Sequence, residues 1–179
     1  MTATGKTSGD ELYDLAIEES LSDEMGEQLK MLGQIFRENP QYMSLLSNPA
    51  VAKEERLALI GQALEGQVHP YLVNFLRILC SREKLHAFAG CAERYEQRWL
   101  EDHNMVKGRV TSAVPLTSRQ LSALAARMEE TLHKKVLLES SVTPSLIGGV
   151  RVEVNGEVWD GSLRGRLEEL GSLLRGTVL

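Results

Sequence analysis

Four histidines, two cysteines, a few serines and one glycine pair are the residues here that could do chemistry, and their spacing decides what they can do. His69, His86, His103 and His133 are scattered. None has a second His, Cys or carboxylate at a recognisable ligand separation, so no metal site is expected. Cys80 and Cys91 fit neither a Cys-x-x-Cys redox motif nor a zinc pair. Both fall in helical patterns and read as buried free thiols, since cysteine is among the most buried residue types. Ser162 and the pair Ser140 and Ser141 lack the Gly-x-Ser-x-Gly context that presents a nucleophile. Gly148 and Gly149 precede a strand-like run rather than a helix, so they lack the helix N-terminus that holds phosphate. They read as a backbone device, a bulge or a close approach. No Gly-x-x-x-x-Gly-Lys-Ser/Thr loop is present. The acidic pairs Glu18-Glu19, Glu54-Glu55 and Glu129-Glu130 lie on predicted helices and read as solvated faces. No catalytic residue, cofactor or metal is therefore assigned.

With chemistry set aside, composition bounds the rest. The chain has 179 residues, 42% hydrophobic and 25% charged, enough for one domain of moderate size or two small ones. Aromatics make up only 5%, so the core must rely on Leu, Val, Ile, Ala and Met. No window approaches the roughly 18 consecutive apolar residues of a membrane span. The polar start from Met1 to Asp10 has no apolar signal stretch, so the chain is expected to stay where it is made and to reach a membrane only through partners. Net charge is −5, made of −7 over residues 1–104 and +2 over residues 105–179. An acidic chain without a basic stripe suits nucleic acid poorly. The asymmetry suggests two domains with different partners.

The first hundred residues read as helices throughout. Leu12, Leu15, Ala16 and Ile17 form a short apolar face between Asp10 and Ser20. Ser22 or Asp23 can cap a second helix carrying Met25, Leu29, Leu32, Ile35 and Phe36. Asn39-Pro40 stops it, because a residue before proline avoids the α region. A short element with Tyr42, Leu45 and Leu46 ends at Asn48-Pro49, and Leu57, Ile60 and Leu64 mark a fourth helix closed near Gly66. His69-Pro70 opens a fifth with Tyr71, Leu72, Phe75, Leu76 and Leu79 inward, and Leu85, Phe88, Ala92, Tyr95 and Trp99 mark a sixth. Short connections between amphipathic helices imply antiparallel neighbours. The expected fold is an all-α N-terminal six-helix bundle over residues 1–104, followed by a small α+β C-terminal domain over residues 105–179.

That second part begins with a strand expected over Val110 to Val114, ending at Pro115. Thr117 or Ser118 can cap a helix with Leu121, Leu124, Met128 and Leu132, closed by the cations His133, Lys134 and Lys135. Val136 to Leu138 reads as a second strand. Val150, Val152 and Val154 alternate with Arg151 and Glu153 before Asn155-Gly156, a hairpin turn, and Val158 and Trp159 return the chain. Asp160 or Ser162 is expected to start a last helix with Leu163, Leu167, Leu170 and Leu174.

The segment from Val142 to Leu170 resembles the C-terminal signature of the ATP synthase delta subunit family, called the oligomycin-sensitivity-conferring protein in mitochondria. Its parts are Gly148-Gly149 before an alternating strand, the Asn155-Gly156 turn, and Asp160-x-Ser162 before a leucine helix. Ser112 to Leu116 is similar to the family's junction into its second domain. The run from Asn74 to Leu79, with Arg82 and Leu85, is similar to its fifth helix, and Leu12 to Ala16 to its first. Two departures stand out: Ser8, Gly9, Asp10 and Glu11 replace an aromatic and several alanines, and Thr143 stands where the family often has Asp.

The resemblance implies a non-catalytic stator component that links the catalytic head of an F-type ATP synthase to its peripheral stalk, so that proton translocation is coupled to ATP synthesis. It implies that Leu12, Tyr13, Ala16, Asn74, Phe75 and Ile78 face the N-terminal segment of an alpha subunit. Ile147, Leu163, Leu167, Leu170 and Leu174 would shape the end that holds the b subunits. It also implies a peripheral place on the cytoplasmic face of an energy-coupling membrane, in a bacterium the plasma membrane. Two rival readings are a helical adaptor of another assembly, and a small transferase using Gly148-Gly149 near an anion. The glycine-strand-turn-cap order counts against the adaptor, which has no need of it.

Overall fold

The helical periodicity of the first hundred residues becomes six α-helices in the computed structural model, which describes residues 3–146 and 148–161. They are α1 (Ala3–Glu18), α2 (Ser22–Glu38), α3 (Pro40–Ser47), α4 (Lys53–Leu64), α5 (Pro70–Ser81) and α6 (Phe88–Asp102), with a single 3-10 turn, Leu85–Ala87, before α6. Proline opens both α3 and α5, where its missing N–H is not needed and its fixed φ suits the first turn. The chain divides into two compact units between Trp99 and Leu100, within the last turns of α6 and a little before the change of pattern at residue 104.

In the first unit, Tyr13, Met25, Leu32, Leu46, Ile60, Leu72, Leu76 and Tyr95 share one fully buried cluster. Tyr13 packs edge-on to Tyr95 with ring centroids 5.0 Å apart, and the Tyr95 hydroxyl donates to the Ser22 carbonyl at 2.9 Å. Burying one such leucine contributes about 1.5–3 kcal/mol, so this face dominates the unit's stability. Two sequence expectations need correction here. Ser22 does not cap α2: it is already the first helical residue, Leu21 occupies the cap, and no side chain bonds the free N–H groups. Helix α1 starts at Ala3, well before Asp10, and its glycines Gly5 and Gly9 lie close against α6. A Cβ on Gly9 would lie 2.7 Å from the Cys91 carbonyl oxygen, so only glycine allows that approach.

The second unit is a four-stranded sheet in the order β2-β1-β3-β4 with one helix. Its elements are β1 (Met105–Ser112), α7 (Ser118–Leu132), β2 (Lys135–Val142), β3 (Val150–Val154) and β4 (Glu157–Asp160). β1 and β2 pair in parallel, Met105 opposite Lys135 through Ser112 opposite Val142, which requires the α7 crossover between them. β3 runs antiparallel to β1, and β4 to β3. Val106, Val110, Val136, Val152 and Val154 form the buried face with Met128 of α7. Lys107 and Glu139 pair at 2.8 Å on neighbouring strands, both substantially exposed.

Here too the strands depart from expectation. β1 begins at Met105 and ends at Ser112, earlier than Val110–Val114, because Val106, Gly108, Val110 and Ser112 alternate inward while Lys107 and Arg109 point to water. Gly108 is part of that inward face: a Cβ there would meet Val154 Cγ2 at 2.6 Å and Leu138 Cδ2 at 2.9 Å. β2 extends on to Val142, since pairing with β1 continues past its last buried valine. Thr117 does cap α7, in a reciprocal capping box with Gln120, and His133 ends it in the left-handed conformation at φ 52°. Asn155 and Gly156, at φ 52° and 82°, form the two-residue β3–β4 turn.

Candidate functional site

α1 and α5 together line a concavity in the first unit. Helical spacing puts Leu12 and Leu15 of α1 on one side, and Phe75, Ile78 and Leu79 of α5 on the other. They form the apolar floor of a groove of about 240 Å³, rimmed by Ser8, Glu11, Tyr71, Asn74, Arg82 and Lys84. Phe75 is half-buried and Ile78 is 41% exposed, so both offer apolar surface to a visitor. A groove of this kind suits the apolar face of an amphipathic helix, read by anchors three, four and seven residues apart.

Both walls are fixed from behind. Asp10 accepts from Arg94 Nε at 2.8 Å and from Arg98 Nη1 at 3.4 Å, while Asp14 accepts from Arg98 Nη2 at 3.0 Å. The Arg98 guanidinium also lies over the Tyr13 ring, 4.9 Å from its centroid. These contacts tie α1 to α6. α5 starts under a cap: His69 Nδ1 accepts from the Tyr71 N–H at 3.3 Å, and the His69 N–H donates to Gln28 Oε1 of α2 at 2.6 Å. The Glu19 carboxylate, with some desolvation, raises the Tyr71 phenol above its ordinary range.

Of the residues assigned to contact with the alpha segment, the structure brings Leu12, Asn74, Phe75 and Ile78 together in the groove. Tyr13 and Ala16 are fully buried and outside the groove lining, so they support the groove from the core rather than line it. Residue spacing explains Tyr13, which lies about 100° round the helix from Leu12; Ala16, about 40° from Leu12, is instead covered by its neighbours. Ser8, Glu11, Leu15, Tyr71, Leu79, Arg82 and Lys84 line the groove but are missing from the sequence assignment. Helical spacing could have found Leu15, three residues from Leu12, and Arg82, four from Ile78.

The candidates for chemistry disperse. Cys80 and Cys91 are both buried and free. Burial pushes the Cys91 thiol up to about 11 and raises Cys80 as well, which keeps both protonated and unreactive at neutral pH. Ser141 Oγ lies 3.4 Å from Thr111 Oγ1 on the neighbouring strand and donates to the Val110 carbonyl at 3.4 Å, contacts that hold the sheet together. Gly148 and Gly149 take φ of 146° and 84° on the approach to β3, a backbone role through conformation. Asp160 is the last residue of β4, opposite Arg151. The helix expected after it, with Ser162, Leu163, Leu167, Leu170 and Leu174, lies outside the described residues, as does Ile147. Among the described residues no group of three His, Cys, Asp or Glu side chains could hold a metal, and no helix is long and apolar enough to cross a membrane.

Comparison with known proteins bears on this arrangement. The family described as ATP synthase delta (OSCP) subunit matches residues 10–174. An ATP synthase subunit delta from Myxococcus xanthus is 36% identical over 162 residues, covering 89% of each chain. Its counterpart from Synechococcus elongatus is 32% identical, covering 92% of this chain and 96% of that one. A chain of the Toxoplasma gondii mitochondrial ATP synthase shares the fold at a TM-score of 0.74, with 17% identity over 97% of this chain and 98% of that one. The sequence match spans both units, the groove and the glycine-turn segment alike, and the chain belongs to the ATP synthase delta (OSCP) subunit family.

Proposed function

We propose that this chain grips the catalytic head of its synthase through the α1–α5 groove and holds the peripheral stalk through its second unit. It is a delta subunit of an F-type ATP synthase, a non-catalytic stator component of the peripheral stalk. The observation that carries the finer reading is the groove itself, an apolar floor of Leu12, Leu15, Phe75, Ile78 and Leu79 open to a helix. An N-terminal segment of an alpha subunit is its occupant, with Leu12, Asn74, Phe75 and Ile78 in contact and Tyr13 and Ala16 behind them. The helices of residues 1–104 act as one six-helix bundle in this role. Residues 105–179 take the end of the b subunits, with Ile147, Leu163, Leu167, Leu170 and Leu174 shaping that site.

A stator must resist torque without turning over substrate. Several apolar anchors and slow dissociation meet that need, and buried, unreactive thiols do no harm to it. The chain then sits peripherally on the cytoplasmic face of the energy-coupling membrane, a bacterial plasma membrane, held there by its partners. The test is binding of the full chain, separately, to a peptide of the alpha N-terminal segment and to the C-terminal segment of the b subunits. Both should bind, and the alpha peptide should not compete with the b segment. Failure of both with folded chain would refute the assignment of partners.

A further inference from the structure

α1 is made of two unlike halves. Leu12, Tyr13 and Ala16 are buried in the core of the first unit, so apolar packing holds the second half in place. Before Leu12 the helix has no apolar side chain larger than Ala3. It has instead Gly5 and Gly9, which weaken a helix more than any residue but proline, and the poor helix formers Thr4, Thr7, Ser8 and Asp10. Its first turn carries no acidic side chain to meet the positive end of the helix dipole. Asp10 and Asp14 stand four residues apart, a like-charge spacing that opposes an isolated helix. By its own sequence, the stretch 3–11 has little reason to be helical.

α6 supplies what is missing. Gly5 and Gly9 are buried. Gly9 meets the Cys91 carbonyl, and a Cβ on Gly90 would lie 3.9 Å from the Gly5 Cα. Arg94 and Arg98 follow Cys91 by three and seven residues, on the same face. Arg98 uses two nitrogens of its planar fork, Nη1 on Asp10 and Nη2 on Asp14, so one cation bridges both carboxylates and offsets their repulsion. Arg94 adds its bond to Asp10, and Asp10, Arg94 and Arg98 are all partly buried. Neither arginine lines the groove, yet the stretch they hold carries Ser8 and Glu11 of its rim and leads into Leu12 of its floor.

We infer that the amino-terminal half of α1 is a strap, kept helical by the Arg94 and Arg98 clasp, and that these two arginines are positioning residues for the α1 wall of the groove. The second part rests on the α1–α5 groove being the docking site for the alpha segment. Amide exchange of the full, nitrogen-15-labelled chain tests both parts. Arg98→Gln should speed exchange at Ser8 to Glu11 by roughly tenfold or more, while Leu32 and Leu76 in the core helices stay within about twofold. No acceleration, or the same acceleration in all helices, overturns the inference. Asp14→Asn should speed exchange of the strap in the wild-type chain but not in Arg98→Gln, where it relieves the repulsion; additive effects would overturn the clasp. A synthetic peptide of the alpha N-terminal sequence, at about ten times its Kd, should slow strap exchange in Arg98→Gln by roughly tenfold, because it binds the closed strap. Peptide that binds by calorimetry and leaves strap exchange unchanged overturns the link to the groove. Absence of binding to the folded wild-type chain overturns the groove reading instead, and the exchange rates of the free chain still decide whether the clasp orders the strap.

Discussion

Gly9 and Gly33 offer the same substitution with opposite expected signs. Both are glycines inside helices, α1 and α2, where alanine is intrinsically better by about 0.8–1 kcal/mol. A Cβ at Gly33 meets nothing within 4 Å, so Gly33→Ala should realise most of that gain. A Cβ at Gly9 would lie 2.7 Å from the Cys91 carbonyl oxygen and 2.8 Å from Arg94 Cβ. Neither is the yielding tip of a side chain, so α1 must move away from α6 by about half an ångström. Overpacking of that kind costs about 1–3 kcal/mol. Gly9→Ala should therefore be destabilising by about 0–2 kcal/mol after its gain in helix propensity is counted. The movement also stretches the Asp10 contacts to Arg94 and Arg98, which places the result in the upper part of that range. Urea unfolding of the full chain, followed by far-ultraviolet circular dichroism, reads the difference in midpoint. Stabilisation by both substitutions would refute the close α1–α6 packing. Destabilisation by Gly33→Ala would refute the open surface at α2.

Three other outcomes follow from the same geometry. Phe75→Asp should weaken alpha-peptide binding by at least tenfold, on the order of 1.4 kcal/mol or more, and lower the melting temperature only slightly, because Phe75 is half-buried at the groove; equal losses in calorimetric binding and thermal melting would make it a core residue only. Thr117→Ala removes the acceptor of the Gln120 N–H and should cost about 1 kcal/mol, confined to the second unit and visible as faster amide exchange at the start of α7. Raised pH tests burial: the folded state holds the Cys91 thiol at about 11 against an ordinary 9.0, so its contribution is fully present below about pH 9. It is lost as pH rises from 9 to 11, where the unfolded chain ionises first, and Cys91→Ala should flatten that part of the urea-midpoint curve.

Much of the first unit was legible because helical periodicity and burial agree. Met25, Leu29, Leu32 and Phe36 are buried as their spacing requires, and prolines 40 and 70 mark real helix starts. Capping was legible at Thr117, where the partner Gln120 is three residues away, and illegible at Leu21, which offers no side-chain acceptor. β1 was misplaced because Lys107, Gly108 and Arg109 look unlike a strand until the inward face at Gly108 is known to need a missing side chain. The early start of α1 has the same origin, a glycine that fits another helix. Contacts of long separation, such as Asp10 with Arg94 and Arg98, leave no local trace in sequence. In the groove, a face assignment from the first and fifth helices found four lining residues, while Tyr13 and Ala16 required the helix rotation that only packing fixes.

Coupling is the property that defines a stator, and it can be measured with the whole machine. Membrane vesicles bearing the chain's own synthase, stripped of this subunit, are assayed for ATP hydrolysis and ATP-driven proton uptake before and after adding it back. Restored proton uptake with the wild-type chain, and impaired uptake with Phe75→Asp at the same concentration, are the predicted results. Full restoration by Phe75→Asp, or none by the folded wild-type chain, would contradict the account.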